Sequence, residues 1–169
     1  MKTGPNGVAV IQHYEGRVLT AYPDPLSGGP PWTCGWGATG AGIGPGTVWT
    51  SQQCDDRLVS DLVSRESDAS AAIRVPMTQG QVDAFVSILF NVGHGSPIKD
   101  GIVRLRNDYP STLLRKLNAG DYDGARAEFA RWISPGSSVE HGLRRRRAAE
   151  QALWDGKSAA DAIALGDTV

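Results

Sequence analysis

Two acidic residues near the N-terminus, Glu15 and Asp24, have the residue types and the setting that acid–base chemistry needs. Glu15 falls at the end of a predicted helix, where the partial negative charge of the terminal carbonyl groups disfavours an ionised carboxylate. Together with partial enclosure, this setting favours the protonated form that a general acid requires near neutral pH. A solvated surface glutamate is the alternative for this residue taken alone.

Asp24 stands between Pro23 and Pro25, whose rings fix the φ angles on both sides of it. The carboxylate is therefore predicted on a rigid turn, although an ordinary turn aspartate is the alternative. One carboxyl group at a helix end and one on such a turn can face each other across a cleft, and this pair is the minimum that glycosidic bond hydrolysis needs. Thr33 follows in a β-prone run. Its hydroxyl can position a water molecule, or the residue can be there only because its β-branched side chain suits a strand.

The sequence lacks the residue patterns of metal sites, serine hydrolases and P-loop nucleotide-binding proteins. The three histidines are far apart in the sequence and have no metal-ligand spacing, and the chain contains neither a G-x-S-x-G elbow nor a P-loop. The two cysteines, Cys34 and Cys54, form no C-x-x-C pair, so we expect buried thiols, or a disulfide if the protein is exported. We expect no metal and no cofactor.

The elements that must position these residues follow from caps and periodicity. A short helix is predicted over 6–15, with Asn6 as its N-cap and Gly16 as its end, followed by β-prone runs at 18–22 and 32–36. A capping box at 50–53 begins a helix that reaches about residue 73. Five further helices are predicted: a core helix from Thr78 to Gly93, two short ones after Ser111 and after Asp121 or Asp123, one over 143–154, and a last one over 159–165.

These elements predict an α+β fold for a single domain of 169 residues. A small β-rich lobe spans about 17–50, a connecting helix about 51–73, and a mostly helical lobe comprises 1–16 and 74–169. With 40% hydrophobic residues, a net charge of −1 and an N-terminus without an apolar targeting run, we expect a cytoplasmic protein. The run Arg144–Arg147 could meet an anionic polymer, but the pI near 6.3 argues against nucleic-acid binding.

Several motifs, in a fixed order, make the chain resemble the T4-lysozyme-like phage muramidases, glycoside hydrolase family 24. The first is Glu15-Gly16, with Asp24 eight residues after Gly16, followed by TCGWG at 33–37, where the family has Thr-Ile-Gly-Tyr-Gly. The segment from 81 to 93, QVDAF through FNVG, is similar to the central helix of the family. LNAGDY at 117–122, Arg131-Trp132 and a GLxxRRxxExxLW helix at 142–154 follow. The likeness covers nearly the whole chain.

The resemblance implies a lysozyme-like fold with the active-site cleft between the two lobes. It also implies hydrolysis of the β-1,4 bond between N-acetylmuramic acid and N-acetylglucosamine in peptidoglycan, with inversion at the anomeric carbon. Glu15 would protonate the leaving oxygen, while Asp24 and Thr33 would place the water and steady positive charge on the sugar ring. The contacts to the glycan carried over from the family are Phe90, Asn91, Arg131 and Trp132.

The resemblance further implies an endolysin: a monomer, without stable membrane association, that is made in the host bacterial cytoplasm and reaches the cell wall after a separate holin opens the membrane. The arginine run then has a structural interpretation, in which Arg146 pairs with Glu150 at i,i+4.

Two departures from the family pattern stand out. Eight residues separate Asp24 from Thr33 instead of the usual five, with Gly28–Pro31 as the extension, and Ala38 replaces a frequent histidine.

Two other functions compete with the muramidase. A lytic transglycosylase would use Glu15 alone as the acid and would form an anhydro-sugar. A non-catalytic wall-binding module would keep the fold without the reaction.

Overall fold

The computed structural model describes residues 1–25 and 27–169, and Leu26, within the predicted β-rich lobe, lies outside the described residues. The described residues form seven α-helices, one 3-10 helix and a two-stranded antiparallel sheet, which confirms the predicted α+β class. In chain order the elements are α1 Pro5–Glu15, β1 Val18–Pro23, β2 Trp32–Gly35, α2 Ser51–Ala72, α3 Gln79–Val92, α4 Thr112–Asn118, α5 Tyr122–Glu128, the 3-10 helix Phe129–Arg131, α6 Glu140–Trp154 and α7 Ala159–Gly166.

The chain forms two compact units. The helical unit comprises Met1–Ile11 and Ser64–Val169, and the hairpin unit comprises Gln12–Val63. The boundaries fall inside α1 and α2, so each of these helices contributes residues to both units.

Helix α3 is the core of the helical unit, as its sequence predicts. Thr78 and Gln81 form the predicted capping box, in which the Thr78 hydroxyl accepts from the Gln81 amide and the Gln81 side chain accepts from the Thr78 amide. Residues 82–89 are all buried, and the helix ends at Gly93, which has a φ of 96°. α3 packs against α6, and α6 in turn packs against α7, so the helical unit is built around one buried helix.

The start of α1 differs from the prediction. Asn6 is not the N-cap, because the helix already begins at Pro5, a residue favoured at the first helical position. The carboxylate of Asp83 in α3 accepts from the amides of Gly4 and Gly7 at 2.7 and 3.2 Å, and thereby satisfies the free end of α1. Asn6 instead accepts from the amide of Ala159, the first residue of α7.

The hairpin unit contains the sheet. β1 and β2 pair in antiparallel register with Tyr22 opposite Thr33 and Pro23 opposite Trp32. A third segment lies along β1, where the Ala21 amide donates to the Thr47 carbonyl at 2.9 Å and the Trp49 amide donates to the Leu19 carbonyl at 2.8 Å. This small sheet, irregular between Val18 and Tyr22, matches the two β-prone runs of the sequence.

Candidate active site

Glu15 is the last residue of α1, and the backbone turns immediately after it. Gly16 has a φ of 68°, a conformation that a residue with a side chain rarely adopts, and its amide donates to the Gln12 carbonyl. The Glu15 side chain is half-buried and approaches the backbone of Gly37, just after β2. A Cβ atom added to Gly37 would lie only 3.0 Å from Glu15 Oε2. The hairpin unit therefore brings the predicted acid against the Gly-Trp-Gly end of the first motif.

The segment around Gly37 is held from several sides. Cys34 and Ala38 exchange two backbone hydrogen bonds of 2.9 Å, which close a tight turn over residues 34–38. Within that turn, Trp36 Nε1 donates to Asp55 Oδ1 of α2 at 2.8 Å, and the Arg17 guanidinium lies 5.4 Å from the centre of the indole ring. These contacts give the turn a fixed position beside Glu15.

Asp24 begins the loop that joins β1 to β2. Its amide donates to the Gly29 carbonyl at 2.9 Å, its carbonyl accepts from the Gly28 amide at 2.8 Å, and its Oδ1 accepts from the Ser27 amide at 2.8 Å. The hydrogen bond from the Ser27 amide restrains the orientation of this carboxylate. The loop extension therefore folds back on Asp24.

Thr33 stays in the hairpin despite the longer loop. It is the second residue of β2 and lies opposite Tyr22, two residues before Asp24. Since the three extra residues are taken up by the turn beyond Asp24, the register keeps Thr33 on the strand that pairs with β1, which ends directly before Asp24. Glu15, Asp24 and Thr33 thus all belong to the hairpin unit.

Both cysteines are buried free thiols in the core of the hairpin unit. Cys34 donates weakly to the carbonyls of Val18 and Leu19, each at 3.5 Å. The pKa of the Cys54 thiol is raised, mainly by burial and to a smaller extent by the nearby Cys34.

The helical unit contains a cavity of about 550 Å³. Three of the four residues predicted to bind the glycan, Asn91, Arg131 and Trp132, contribute to its lining. Phe90, the fourth, is half-buried and does not belong to that lining. The remaining lining residues are Val92, Lys99, Asp100, Ser134, Pro135, Val139 and Leu143.

Charged groups at the cavity are mostly paired. Arg131 and Lys116 share the buried carboxylate of Glu128, at 3.2 and 2.8 Å, so two cations face one anion. Asp100 accepts from the Arg106 amide at 2.8 Å, which, with the Arg106 guanidinium, holds the pKa of that carboxyl below its usual range. Among the described lining residues, the cationic groups therefore outweigh the anionic one.

The loop that carries Lys99 and Asp100 depends on two glycines. The backbones of Gly95 and Gly101 are in close contact, and a Cβ atom on Gly101 would be 2.2 Å from the Gly95 nitrogen. Backbone hydrogen bonds from Ile102 to the Gly93 carbonyl and from Gly101 to the Arg104 carbonyl close this loop. Only glycine permits such close backbone approach.

The arginine run forms ion pairs. The predicted pair of Arg146 and Glu150 is confirmed at 3.2 Å, and Arg147 joins the same carboxylate at 2.9 Å, with all three side chains almost wholly buried. Arg144 pairs with Glu140 and Arg145 with Asp167, both near the surface. The structural interpretation of the run therefore applies to all four arginines.

Sequence reasoning missed several residues of the cavity. Lys99 and Asp100 lie in the loop after the core helix, and Val139 and Leu143 flank the start of α6. The only available signals were the glycines at 93, 95 and 101 and the polar loop at 134–138, which mark irregular backbone without indicating which side chains line a cavity. Over residues 1–25 and 27–169, no three His, Cys, Asp or Glu side chains converge to form a metal site.

Comparison with known proteins decides the family. The sequence matches the phage lysozyme family over residues 12–150. The chain belongs to the phage lysozyme family. Among its relatives, an endolysin from Acyrthosiphon pisum secondary endosymbiont phage 1 is 35% identical over 92% of the chain and 99% of that protein. An endolysin from Salmonella phage P22 is 34% identical over 91% of the chain and 98% of its own length, whereas the chain spans only 55% of the similar endolysin from Bacillus phage PZA.

Solved structures agree with this family. The muramidase domain of SpmX from Asticaccaulis excentricus matches with a TM-score of 0.75 and 29% identity, covering 90% of this chain and 97% of that one. The crystal structure of a mutant of P22 lysozyme matches with a TM-score of 0.71 and 32% identity, over 91% and 98% of the two chains. The predicted lysozyme-like fold and the predicted enzyme class, a phage muramidase that lyses the bacterial cell wall, are confirmed.

Proposed function

We propose that this phage lysozyme hydrolyses the β-1,4 bond between N-acetylmuramic acid and N-acetylglucosamine, with Glu15 as general acid and with Asp24 and Thr33 positioning the attacking water. The observation that carries the proposal is the contact of the Glu15 carboxylate with Gly37 in the unit that also contains Asp24 and Thr33. A general acid must be held in place when the leaving oxygen needs its proton, and the turn over 34–38 supplies a rigid support.

Asp24 acts as the ionised partner in this mechanism. The Ser27 amide supports that state, because a hydrogen bond to the carboxylate stabilises the charged form. An ionised Asp24 accepts a proton from the water and stabilises the positive charge that develops on the sugar ring. The Thr33 hydroxyl, on the neighbouring strand, orients the same water, and attack from the face opposite the leaving group inverts the anomeric carbon.

The helical unit binds the glycan at its cavity. Trp132 offers an apolar face and an indole N–H, a combination suited to a sugar ring with its acetamido group. Asn91 and Arg131 supply polar contacts, and the excess of cationic groups suits the carboxylates of peptidoglycan. Phe90 completes the predicted set of contact residues beside Asn91.

The protein reaches its substrate from the host cytoplasm. In the part of the chain that the structure describes, no helix combines the length and the apolar character that a membrane span requires. We propose that the enzyme acts as a monomer on the periplasmic wall once a separate holin has opened the inner membrane.

Replacing Glu15 with glutamine tests the proposal. Glu15→Gln keeps the shape of the side chain but removes the transferable proton, so we expect peptidoglycan digestion to fall at least about 100-fold in a turbidity assay on permeabilised cells. Asp61→Asn is the matched control, because Asp61 lies in the same unit and pairs with Arg57 on α2. Full activity of Glu15→Gln would contradict the assigned role of Glu15, whereas a wild type that is as inactive as the variant would favour a wall-binding module.

The stereochemistry is tested separately. We expect the first product released from peptidoglycan fragments to have the α-configuration by proton NMR, before mutarotation. A β-configured first product would contradict the inverting mechanism while leaving the hydrolase in place.

A further inference from the structure

We infer that Arg147 is a positioning residue for glycan binding, which fixes the amide of Asn91 so that its Nδ2 group donates to an acceptor oxygen of the ligand. This inference rests on the proposed binding of glycan at the cavity of the helical unit. It deepens that proposal by stating which group of the ligand Asn91 recognises.

The Arg147 guanidinium is held by buried ion-pair contacts. Its Nη2 donates to Glu150 Oε1 at 3.3 Å, and its Nε lies within ion-pair distance of Glu150 Oε2, at 2.9 Å. Glu150 is itself held by the Ser87 hydroxyl at 2.7 Å and by Arg146 Nε at 3.2 Å. With side-chain exposures of 2% for Arg147 and 0% for Glu150, the guanidinium plane has one position.

Arg147 also contacts a residue of the cavity lining. The same Nη2 donates its other hydrogen to Asn91 Oδ1 at 2.8 Å. Asn91 is half-buried near the end of α3, one turn after Ser87, and it contributes to the cavity lining. The buried charged cluster and the cavity are thus joined through one hydrogen bond.

The Asn91 amide has both donor and acceptor groups, and its surroundings decide which of them face a ligand. An asparagine side chain has one acceptor oxygen and two N–H donors. Arg147 can only donate, so the side-chain atom of Asn91 that faces it must be the acceptor Oδ1. The Nδ2 hydrogens of Asn91 are therefore the groups that can bind a ligand. The complementary ligand group is an acceptor oxygen, such as the carbonyl of an N-acetyl group or a sugar hydroxyl.

A lysine cannot replace Arg147 in this arrangement. Lysine keeps the positive charge, but its ammonium lacks the planar, forked arrangement of donors by which one guanidinium pairs with Glu150 and also fixes the Asn91 amide. Arg147→Lys therefore keeps the charge and releases the amide. Arg146→Lys is the matched control, because Arg146 is the neighbouring buried residue on the same helix, pairs with the same Glu150, and contacts the Ser87 carbonyl instead of Asn91.

The experiment is a double-mutant cycle on the full chain, read as affinity for a soluble β-1,4-linked tetramer of N-acetylglucosamine by NMR titration. We expect Arg147→Lys and Asn91→Ala each to weaken binding roughly three- to tenfold, the effect of losing one ordered hydrogen bond. In the Asn91→Ala background, Arg147→Lys should have no further effect on affinity, because Arg147 acts on the ligand through the Asn91 amide, which this background lacks. Additive effects on affinity would overturn the inference.

Two further variants separate positioning from stability. Arg146→Lys should lower the free energy of unfolding as Arg147→Lys does, while affinity for the tetramer stays within about twofold of the wild type. An equal loss of affinity in both variants would indicate general destabilisation and overturn the inference. Asn91→Asp keeps the acceptor for Arg147 but lacks the Nδ2 donors, so it should bind as weakly as Asn91→Ala, and wild-type affinity in this variant would equally overturn the inference.

Activity distinguishes the inference from the proposed function. If the wild type binds the tetramer and shows the expected coupling but does not digest peptidoglycan, the proposed hydrolysis fails and the positioning role stands. If the wild type digests peptidoglycan and the cycle is additive, only the positioning role fails. If the wild type does not bind the tetramer, the glycan site at the cavity and the role of Arg147 both fail.

Discussion

The two units support their proposed functional residues in opposite ways. In the hairpin unit, Glu15, Asp24 and Thr33 lie at a helix end, in a loop and on a short strand, and backbone hydrogen bonds and glycines position them. In the helical unit, the cavity residue Asn91 lies on a buried helix and is held by a buried charged cluster. Substitutions of these residues in the hairpin unit should therefore change activity more than stability. Substitutions in the buried charged cluster of the helical unit should change stability more than activity.

Asp24→Asn gives the largest expected difference between activity and stability. Asparagine still accepts from the Ser27 amide through its carbonyl oxygen, so the loop remains capped. The charge that we propose to assist the water is lost, and we expect activity on peptidoglycan to fall about 100- to 10,000-fold. The melting temperature should stay within about 2 °C of the wild type. A large drop in melting temperature would contradict the separation of chemistry from stability in the hairpin unit.

Glu150→Gln tests the opposite behaviour in the helical unit. Loss of the carboxylate leaves two buried guanidinium groups without their shared anion, so the free energy of unfolding should fall by about 3–5 kcal/mol in a urea titration. The control is again Asp61→Asn, whose partner Arg57 and own side chain are both 33% exposed, and its cost should stay below about 0.5 kcal/mol. Equal losses in the two variants would contradict the distinction between the units.

Gly37→Ala tests the support of the acid. The added methyl group would press on Glu15 Oε2, and the φ of 81° strains any residue with a side chain by about 1–2 kcal/mol. We expect activity to fall about tenfold or more, since small displacements of a catalytic group are costly.

Gly40→Ala is the matched control for Gly37→Ala. Gly40 also has a positive φ, of 104°, but an added Cβ would meet nothing within 4 Å. It should lose similar stability by urea titration and keep nearly full activity. Comparable activity in the two variants would show that the contact with Glu15 is unimportant.

The thiols of the hairpin unit give the smallest expected effect. Because burial raises the pKa of Cys54, the fraction of thiolate at neutral pH is lower than in an exposed cysteine. We expect both cysteines to react with a thiol reagent at least about tenfold more slowly in the folded protein than in urea, and the rate for Cys54 to rise only above the usual pH range. Rapid labelling at neutral pH would indicate that the core of this unit opens readily.

Local signals predicted most of the fold. The capping box at Thr78, the glycine at 93 and the caps Ser111 and Asp121 all lie where the sequence indicates, because each works through bonds within four residues. The start of α6 at Glu140, three residues before the predicted 143, was missed because Val139 provides no side-chain cap. Asn6 was misassigned because the buried carboxylate that satisfies the start of α1 comes from Asp83, far away in the sequence.

The sequence indicates which residue types form the candidate site, but it does not indicate the contacts that hold them in place. Glu15 contacts Gly37, which is 22 positions away in the sequence (37 − 15). Arg147 contacts Asn91, which is 56 positions away (147 − 91). No periodicity or cap in the sequence encodes such contacts. Lys99 and Asp100 reach the cavity through the backbone packing of Gly95 against Gly101, which is likewise a tertiary property.

The nature of the reducing ends in digested peptidoglycan tests the central claim most directly. Mass spectrometry after borohydride treatment separates the two chemistries, since hydrolysis adds a water and leaves a reducible sugar. We predict N-acetylmuramic acid at the new ends, fully reduced by borohydride, as expected when an ionised Asp24 and Thr33 deliver water to the bond that Glu15 protonates. Anhydro-muramic ends that resist borohydride would contradict the hydrolase and identify a lytic transglycosylase that uses Glu15 alone.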